Sequence, residues 1–229
     1  QTLLHTGAGG AQASFGLISA VQSLLAQAQT PMAALDAVVF GAGPGSFTGL
    51  RTACAVAQGL ALGARTEAGQ APLPVLPLDS LLAVAEQARV THGPTQLPWD
   101  VLAMLDARMD ELYIASYRWD ADQWQLLQPP MLARPQDISV QPGQAMAGNV
   151  FEIYGQRLPP ATPDHARISA WPTADAMLRL APGLLARGHG VDPALALPLY
   201  VRDKVASTTA ERAAAKAVAQ VPAAQGGVA

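Results

Sequence analysis

Residues 38–63, VVFGAGPGSFTGLRTACAVAQGLALG, constrain the fold more strongly than any other part of the chain. A run of β-branched and aromatic residues leads through a loop rich in glycine and proline into a helix-forming segment. This pattern predicts a strand at 35–40 and a helix at 48–63. The helix carries no charged residue between Thr52 and Ala64. Because a helix that is apolar on every side is normally covered on every side, we expect this one to be enclosed.

Small residues recur along this helix at spacings of four, and they form two separate faces. One face carries Ala53, Ala57 and Ala61, and the other carries Ala55, Gly59 and Gly63. A glycine inside a helix costs up to about 1 kcal/mol relative to alanine, which favours a packing reason for its presence. Two interpretations follow. Either the helix lies wholly inside its own domain, or one face packs on that domain's sheet while the other packs on a second protein.

The loop before the helix, Gly43–Gly49, offers backbone amides that can receive an anion. It does not match the known phosphate-binding or nucleophile loops. A Walker A loop ends in Gly-Lys-Ser/Thr, whereas Leu50 and Arg51 follow Gly49. A dinucleotide fingerprint needs glycine where Ser46 stands, and a nucleophile elbow needs glycines on both sides of that serine. Ser46 is therefore predicted to be a turn or capping residue rather than a nucleophile.

A second uncharged helix is predicted at 14–29. Its apolar residues form two adjacent stripes, made of Ile18, Val21, Leu25 and Ala28 and of Leu17, Ala20 and Leu24. Two neighbouring helices of this composition form a flat apolar surface typical of permanent helix-bundle interfaces. Such a surface favours self-association of the isolated chain.

Strands predicted at 101–106, 111–119 and 124–127 form an antiparallel meander, followed by a strand at 145–148 and a helix capped by Thr173. The first half repeats the end of this plan, with strands at 2–5, 35–40 and near Val75 and a third helix capped at Asp79 or Ser80. It lacks a meander, so we expect about 25 residues upstream of Gln1. The duplication predicts two mixed α/β domains at 1–98 and 99–205, followed by a flexible tail at 206–229.

The composition excludes several classes of protein. A net charge of -3, with 14 Lys plus Arg in 229 residues, is not that of a chain that binds nucleic acid unaided. The single cysteine, Cys54, cannot form an internal disulfide, and its apolar surroundings indicate a buried thiol in a reducing cytosol. No segment reaches the roughly 18 apolar residues that cross a bilayer. We expect a cytoplasmic protein that does not associate with membranes.

Two classes of enzyme compete with a binding role. A zinc peptidase needs histidines that meet on one helix face, but His5, His92, His165 and His189 are scattered singly among turn residues. An actin-like ATPase or sugar kinase is the second rival, in which the carboxylates of the hairpin sequence DARMDE would hold phosphate or Mg²⁺. The bulk of Arg108 and Met109 argues against a close phosphate turn. Asp106 and Arg108 are thus predicted to be a structural or interface pair, with a vestigial nucleotide contact as the alternative.

Five segments, taken in order, resemble one known family. They are GAGPGSFTGLR with AQGLALG, PVLPLDSLLAVAEQA, VLAMLDARMDELYIASYRW and PLYVRDKVA. In order and spacing they are similar to the bacterial TsaB family, also called YeaZ, over residues 35–206. The resemblance implies the duplicated actin-like α/β fold that the repeated plan also suggests. Ala13-Ser14 and Ser19 depart from the His-Ser and proline that many members carry near the first helix.

The resemblance also implies a role as the non-catalytic partner of a TsaD-type subunit in tRNA threonylcarbamoylation. No cofactor is expected on this chain, and ATP would be used by a TsaE-type ATPase. A homodimer is an alternative assembly, and tRNA would be bound only through the complex. The implied interface comprises Ser14, Leu17, Ile18, Val21, Leu24, Leu25, Leu50, Cys54, Ala57, Gln58 and Ala61. The implied motif loop comprises Gly43, Pro44, Gly45, Ser46, Phe47, Thr48, Gly49 and Arg51.

Overall fold

The computed structural model describes residues 2–7, 13–64, 71–163 and 166–202, with the backbone alone at 13–15. These residues form five α-helices and seven strands. The helices are α1 Ala13–Ala28, α2 Phe47–Gly63, α3 Ser80–His92, α4 Phe151–Tyr154 and α5 Ala174–Ala186. The strands are β1 Val38–Gly43, β2 Val75–Asp79, β3 Trp99–Arg108, β4 Glu111–Asp120, β5 Gln123–Ala133, β6 Ala145–Gly148 and β7 Arg167–Ser169. They form two sheets.

The larger sheet has the strand order β5-β4-β3-β6-β7. Strand β4 lies between β3 and β5 and is antiparallel to both, which confirms the predicted meander. On the other side of β3, strand β6 pairs with β3 and β7 pairs with β6, both in parallel. Strand β5 runs well past the predicted end at residue 127. It contains Pro129 and Pro130, whose missing N–H donors are tolerated because β5 is an edge strand.

The smaller sheet, within the described residues, consists of β1 and β2 in parallel. Strand β1 begins three residues later than predicted, because Met32–Ala34 form a 3₁₀ turn before it. The strand predicted at 2–5 is wrong, since residues 2–7 pair with neither sheet of the described chain. The isolated segment buries no apolar face that would fix its register, and Leu4 is 57% exposed.

Helices α3 and α5 lie between the sheets, and each packs on the sheet of the other half of the chain. Leu81 and Val84 of α3 belong to the core cluster of the larger sheet, which also contains Val101. From α5, Ala176 packs with Leu78 of β2. The boundary predicted near residue 98 separates the two sheets in sequence, but the two halves share their core helices.

The predicted N-caps of both helices are present. The Asp79 side chain accepts a hydrogen bond from the Leu81 amide at 2.7 Å, and Thr173 caps α5 by accepting from the Ala176 amide. Asp79 also accepts a 2.8 Å hydrogen bond from the Tyr117 hydroxyl of β4. Burial raises the pKa of Asp79 above its ordinary value, although both hydrogen bonds oppose that shift.

One buried carboxylate, Glu86, joins α3, α5 and the β4–β5 hairpin. Its oxygens accept hydrogen bonds from Arg89 at 2.8 and 2.9 Å, from Trp124 at 3.0 Å and from Arg179 at 3.1 Å. Burial alone would raise the pKa of Glu86, but these hydrogen bonds outweigh it and hold the pKa below its ordinary value. The side chain is 3% exposed, so the four donor groups replace its water shell.

Helix α1 differs from the others because it packs on no described helix or strand beyond isolated contacts. Its residues from Gly16 to Ala28 are exposed or half-buried. None of the described helices is both long and apolar enough to span a bilayer. The fold thus places one uncharged helix, α1, outside both cores.

Candidate partner interface and interdomain cleft

Helix α2 turns one of its two small-residue faces toward its own sheet. Leu50, Cys54, Ala57 and Ala61 are 0–8% exposed, and the last three cluster with Phe40 and Val75. These four residues are buried in the isolated chain, and their assignment to the interface stays a prediction. Cys54 lies on the side of α2 that covers β1 and β2, and the Leu50 side chain lies beside Gly43 and Gly45 of the motif loop. Burial also raises the pKa of the Cys54 thiol.

The opposite face of α2 is open. Ala55, Gly59 and Gly63 are exposed, and Leu62 beside them is 55% exposed. A Cβ atom placed on Gly59 or Gly63 would meet no atom of the described part of the chain within 4 Å. The two faces predicted from the sequence are present, and the exposed one is the face that contains the glycines. Among residues 2–7, 13–64, 71–163 and 166–202, no contact explains why glycine occupies these positions.

The predicted interface residues of α1 are accessible. Leu17 is 36% and Ile18 50% exposed, and Val21, Leu24 and Leu25 are half-buried. The side chain of Ser14 lies outside the described residues. Val21, Leu24 and Leu25 line an apolar groove of about 390 Å³ together with Leu3. Gly16 also has no atom within 4 Å of the position of a Cβ.

The segment 193–202, called the strap below, lies along the edge of α2 and begins with a 3₁₀ turn at Pro193–Leu195. The Gln58 side chain donates to the carbonyls of Pro193 at 2.8 Å and Ala196 at 3.2 Å, and the Cys54 thiol donates to the latter at 3.3 Å. The Gln58 side chain is therefore hydrogen-bonded within the chain, and its place in the interface stays a prediction. Sequence reasoning assigned the strap no structural role, because a segment without helix or strand periodicity has no signal of its own.

The strap continues into a cleft between the two halves. A cavity of about 450 Å³ is bounded by the Pro44–Phe47 part of the motif loop, by Asp106–Met109 of the β3–β4 hairpin and by Leu199–Arg202 of the strap. The structure thus brings together the motif loop and the acidic hairpin, which are about 60 residues apart in sequence. These were two separate predicted sites.

Glycine is required at the start of the motif loop. Gly43 has a φ of 125°, and a Cβ atom there would lie 2.5 Å from the Leu199 carbonyl oxygen. Ser46 occupies the N-cap position of α2 but makes no side-chain capping hydrogen bond. Thr48 and Gly49 are exposed in the first turn of the helix.

A cation–π contact, a hydrogen bond and a ring contact join the start of α2 to the strap. The Arg51 guanidinium lies 3.9 Å from the centroid of the Phe47 ring and donates a 3.0 Å hydrogen bond to the Tyr200 hydroxyl. The rings of Phe47 and Tyr200 are 5.3 Å apart. Arg51 thus contacts the strap instead of facing an open anion site.

The Asp106 carboxylate is already occupied. It accepts hydrogen bonds from the Arg108 amide and the Tyr154 hydroxyl, both at 2.9 Å, and it lies 3.3 Å from the Arg108 guanidinium. Burial and the Asp106 hydrogen bond raise the pKa of Tyr154 to about 12. These contacts favour the structural interpretation of the pair. Arg108 has an 86% exposed side chain, so its guanidinium is held by this pair only loosely.

Arg202 at the end of the strap fixes the hairpin. Its guanidinium donates to the Ala107 carbonyl at 3.1 Å and to the Glu111 carboxylate at 2.6 Å, and its side chain is 13% exposed. It also lies 2.8 Å from the Met109 sulfur. Neither Arg202 nor Glu86 was singled out from the sequence, because an isolated charged residue does not reveal its distant partner.

The possible metal ligands are spread through the described part of the chain. No three His, Cys, Asp or Glu side chains there come close enough together to hold a metal ion. His5, His92 and His189 are exposed and lie apart, and His165 lies outside the described residues.

The fold and the cleft between its halves define the class of the protein. The family model described as "TsaD: tRNA N6-adenosine threonylcarbamoyltransferase" matches residues 12–229, so the chain has the actin-like fold of that class. Within this class the chain belongs to the TsaB (YeaZ) family. It is 32% identical to the tRNA threonylcarbamoyladenosine biosynthesis protein TsaB of Escherichia coli K12, over 83% of this chain and 80% of that protein.

Further relatives agree with this placement. A TsaB protein of Haemophilus influenzae is 38% identical over 43% of this chain and 37% of its own length. A solved structure of YeaZ from Pseudomonas aeruginosa superimposes with a TM-score of 0.73 at 32% identity, covering 86% of this chain and 87% of that one. The resemblance and the fold expected from the sequence are confirmed.

Proposed function

We propose that this chain is the non-catalytic partner of a TsaD-type subunit in the biosynthesis of threonylcarbamoyladenosine on tRNA. The observation that carries the proposal is the exposed glycine face of α2. A Cβ added to Gly59 or Gly63 would meet no atom of the described residues within 4 Å, although glycine weakens a helix by about 1 kcal/mol relative to alanine. Close approach of a second helix gives these glycines a packing role.

Helix α1 supports the same proposal. It exposes Leu17 and Ile18 and packs on no described element beyond isolated contacts. An isolated helix of this length is marginal in water, because most helical stability in proteins comes from packing of an apolar face. A helix pair from a TsaD-type subunit of the same fold would cover α1 and α2 as a four-helix bundle. A second copy of this chain is the competing occupant in isolation.

Binding of tRNA would depend on the complex, because few cations among the described residues are free. The structure describes ten arginines, of which six form ion pairs with carboxylates: Arg89, Arg108, Arg118, Arg157, Arg179 and Arg202. Arg51 and Arg167 bond to a tyrosine and to backbone carbonyls. A phosphate backbone requires a surface with many free cations. ATP would be bound by a TsaE-type ATPase in the same complex.

The cleft is the one feature that favours a second role. Its motif loop presents the N-terminus of α2, and Arg108 is exposed at its rim. A residual nucleotide contact at Asp106 and Arg108 is therefore the alternative. Equilibrium dialysis of the isolated chain against labelled ATP measures it directly.

Reconstitution tests the main proposal. We expect a purified TsaD-type subunit, supplied with its TsaE-type ATPase, threonylcarbamoyl adenylate and tRNA, to transfer the group only when this chain is present. Gly59→Arg should abolish both the complex and the transfer, because the new side chain blocks the close helix contact. Leu126→Arg, at a position 57% exposed on β5, is the matched control and should retain both. Equal transfer without this chain would refute the proposal.

A further inference from the structure

We propose that the strap is a third part of the surface that binds the TsaD-type subunit, and that it does so through Leu195 and Leu197. This inference rests on the proposed function. It concerns a segment that lies outside both helices of the predicted interface.

The exposure of these two leucines is the first observation. They are 70% and 71% exposed, more than any other large hydrophobic side chain in the described residues. Between them, Ala196 is fully buried. The strap therefore buries one side against α2 and presents leucines on the other. Scattered exposed leucines are normal on a protein surface, so the inference depends on where this pair lies.

The strap is held in place by the rest of the molecule. Gln58 and Cys54 donate to its carbonyls at Pro193 and Ala196, and the Leu199 amide donates to the Ala42 carbonyl at 2.7 Å. The leucines are consequently presented by a segment whose backbone is already fixed. A partner that buries them would lose little conformational entropy on binding, which favours a preformed docking surface.

The strap that carries the leucines also adjoins the exposed face of α2. Gln58, which holds the strap, lies one helical turn before Leu62, so both residues project from the same side of the helix. Leu62 is 55% exposed and borders the face formed by Ala55 and Gly59. The strap therefore extends this face sideways, and a subunit packed on the glycines of α2 would reach the strap.

The chemistry of the patch specifies its occupant. Between Thr52 and Ala64 of α2 no residue is charged, and Leu195 and Leu197 have only Pro and Ala as strap neighbours. The centres of protein–protein interfaces are depleted of charge in this way. The matching partner surface is an uncharged, aliphatic one adjoining the helix pair of the TsaD-type subunit.

The test is the affinity of the full chain for the TsaD-type subunit, measured by isothermal titration calorimetry. Leu195→Arg and Leu197→Arg are each compared with wild type, with Leu126→Arg as the control at an exposed leucine and Gly59→Arg as the reference for the helix interface. Thermal unfolding of each variant is recorded alongside. We expect each strap variant to bind roughly tenfold or more weakly, with unchanged unfolding temperature and unchanged binding by the control.

The outcomes separate this inference from the proposed function. Wild-type affinity of both strap variants, with loss of binding by Gly59→Arg, would overturn the strap contact and leave the proposed function in place. Failure of the wild-type chain to bind would overturn both. If the strap variants abolish only a homodimer in sedimentation of the isolated chain, a second copy is the occupant and the inference is likewise overturned.

Discussion

At the scale of single residues, Glu86 shows how a buried charge is tolerated in this fold. Its carboxylate is 3% exposed and is bonded by Arg89, Arg179 and the Trp124 indole. Removing one member of such a buried group leaves the others without a partner, which costs about 3 kcal/mol. We therefore expect Glu86→Gln to lower the free energy of unfolding by about that amount near pH 7. Urea denaturation measures it, and the exposed Glu152→Gln is the control with no expected change.

The same residue predicts a dependence on pH. The pKa of Glu86 in the folded chain lies below the ordinary value of 4.5. Its contribution is therefore complete above about pH 4.5 and disappears as the pH falls through the folded-state pKa. The difference in unfolding free energy between wild type and Glu86→Gln should shrink over this acid range. A difference that stays constant from pH 7 to pH 3 would contradict the assigned role of the carboxylate.

At the scale of secondary-structure elements, replacing the exposed Gly59 of α2 should have opposite effects on the stability of the chain and on its binding to the partner. Gly59→Ala should raise the unfolding free energy of the isolated chain by about 0.5–1 kcal/mol, because alanine favours the helix and its Cβ meets no atom within 4 Å. The same change should weaken binding to the TsaD-type subunit, because the methyl group separates two closely packed helices. Thermal unfolding and calorimetric titration measure the two effects.

Gly93 is a matched control, because it separates the loss of a close helix contact from any general effect of replacing glycine with alanine on partner binding. Gly93 has a φ of 63° at the end of α3 and no neighbour within 4 Å of a Cβ. Gly93→Ala should destabilise the chain without altering partner affinity, because its strain is local to the helix terminus. Unchanged binding by Gly59→Ala would show that the glycine face is not a close contact.

Local signals made most elements predictable, and long-range contacts explain the rest. The caps at Asp79 and Thr173 depend on adjacent residues, so the sequence indicated them correctly. The inward face of α2 was not predictable, because both faces consist of small uncharged residues, and only the position of β1 decides between them. The position of the strap was also not predictable, because its partners Gln58 and Ala42 lie more than 130 residues before it in the sequence.

At the scale of the whole molecule, the strap ties the two halves together across the cleft. It bonds to α2 through Tyr200 and to the β3–β4 hairpin through Arg202. Arg202→Met keeps the apolar stem but removes the charged hydrogen bonds, so we expect the unfolding free energy to fall by about 2 kcal/mol. Chemical denaturation measures this, with the exposed Arg187→Met as control. Equal stability of the two variants would mean that the strap does not fasten the halves.

The central claim is that α1 and the outward face of α2 are covered by a TsaD-type subunit. Hydrogen–deuterium exchange of the full chain, with and without that subunit, tests it most directly. We predict slower exchange in α1 and α2 on binding, because burial suppresses opening of both helices, and unchanged exchange in the β4–β5 hairpin. Unaltered exchange in both helices while the two proteins remain bound would contradict the claim.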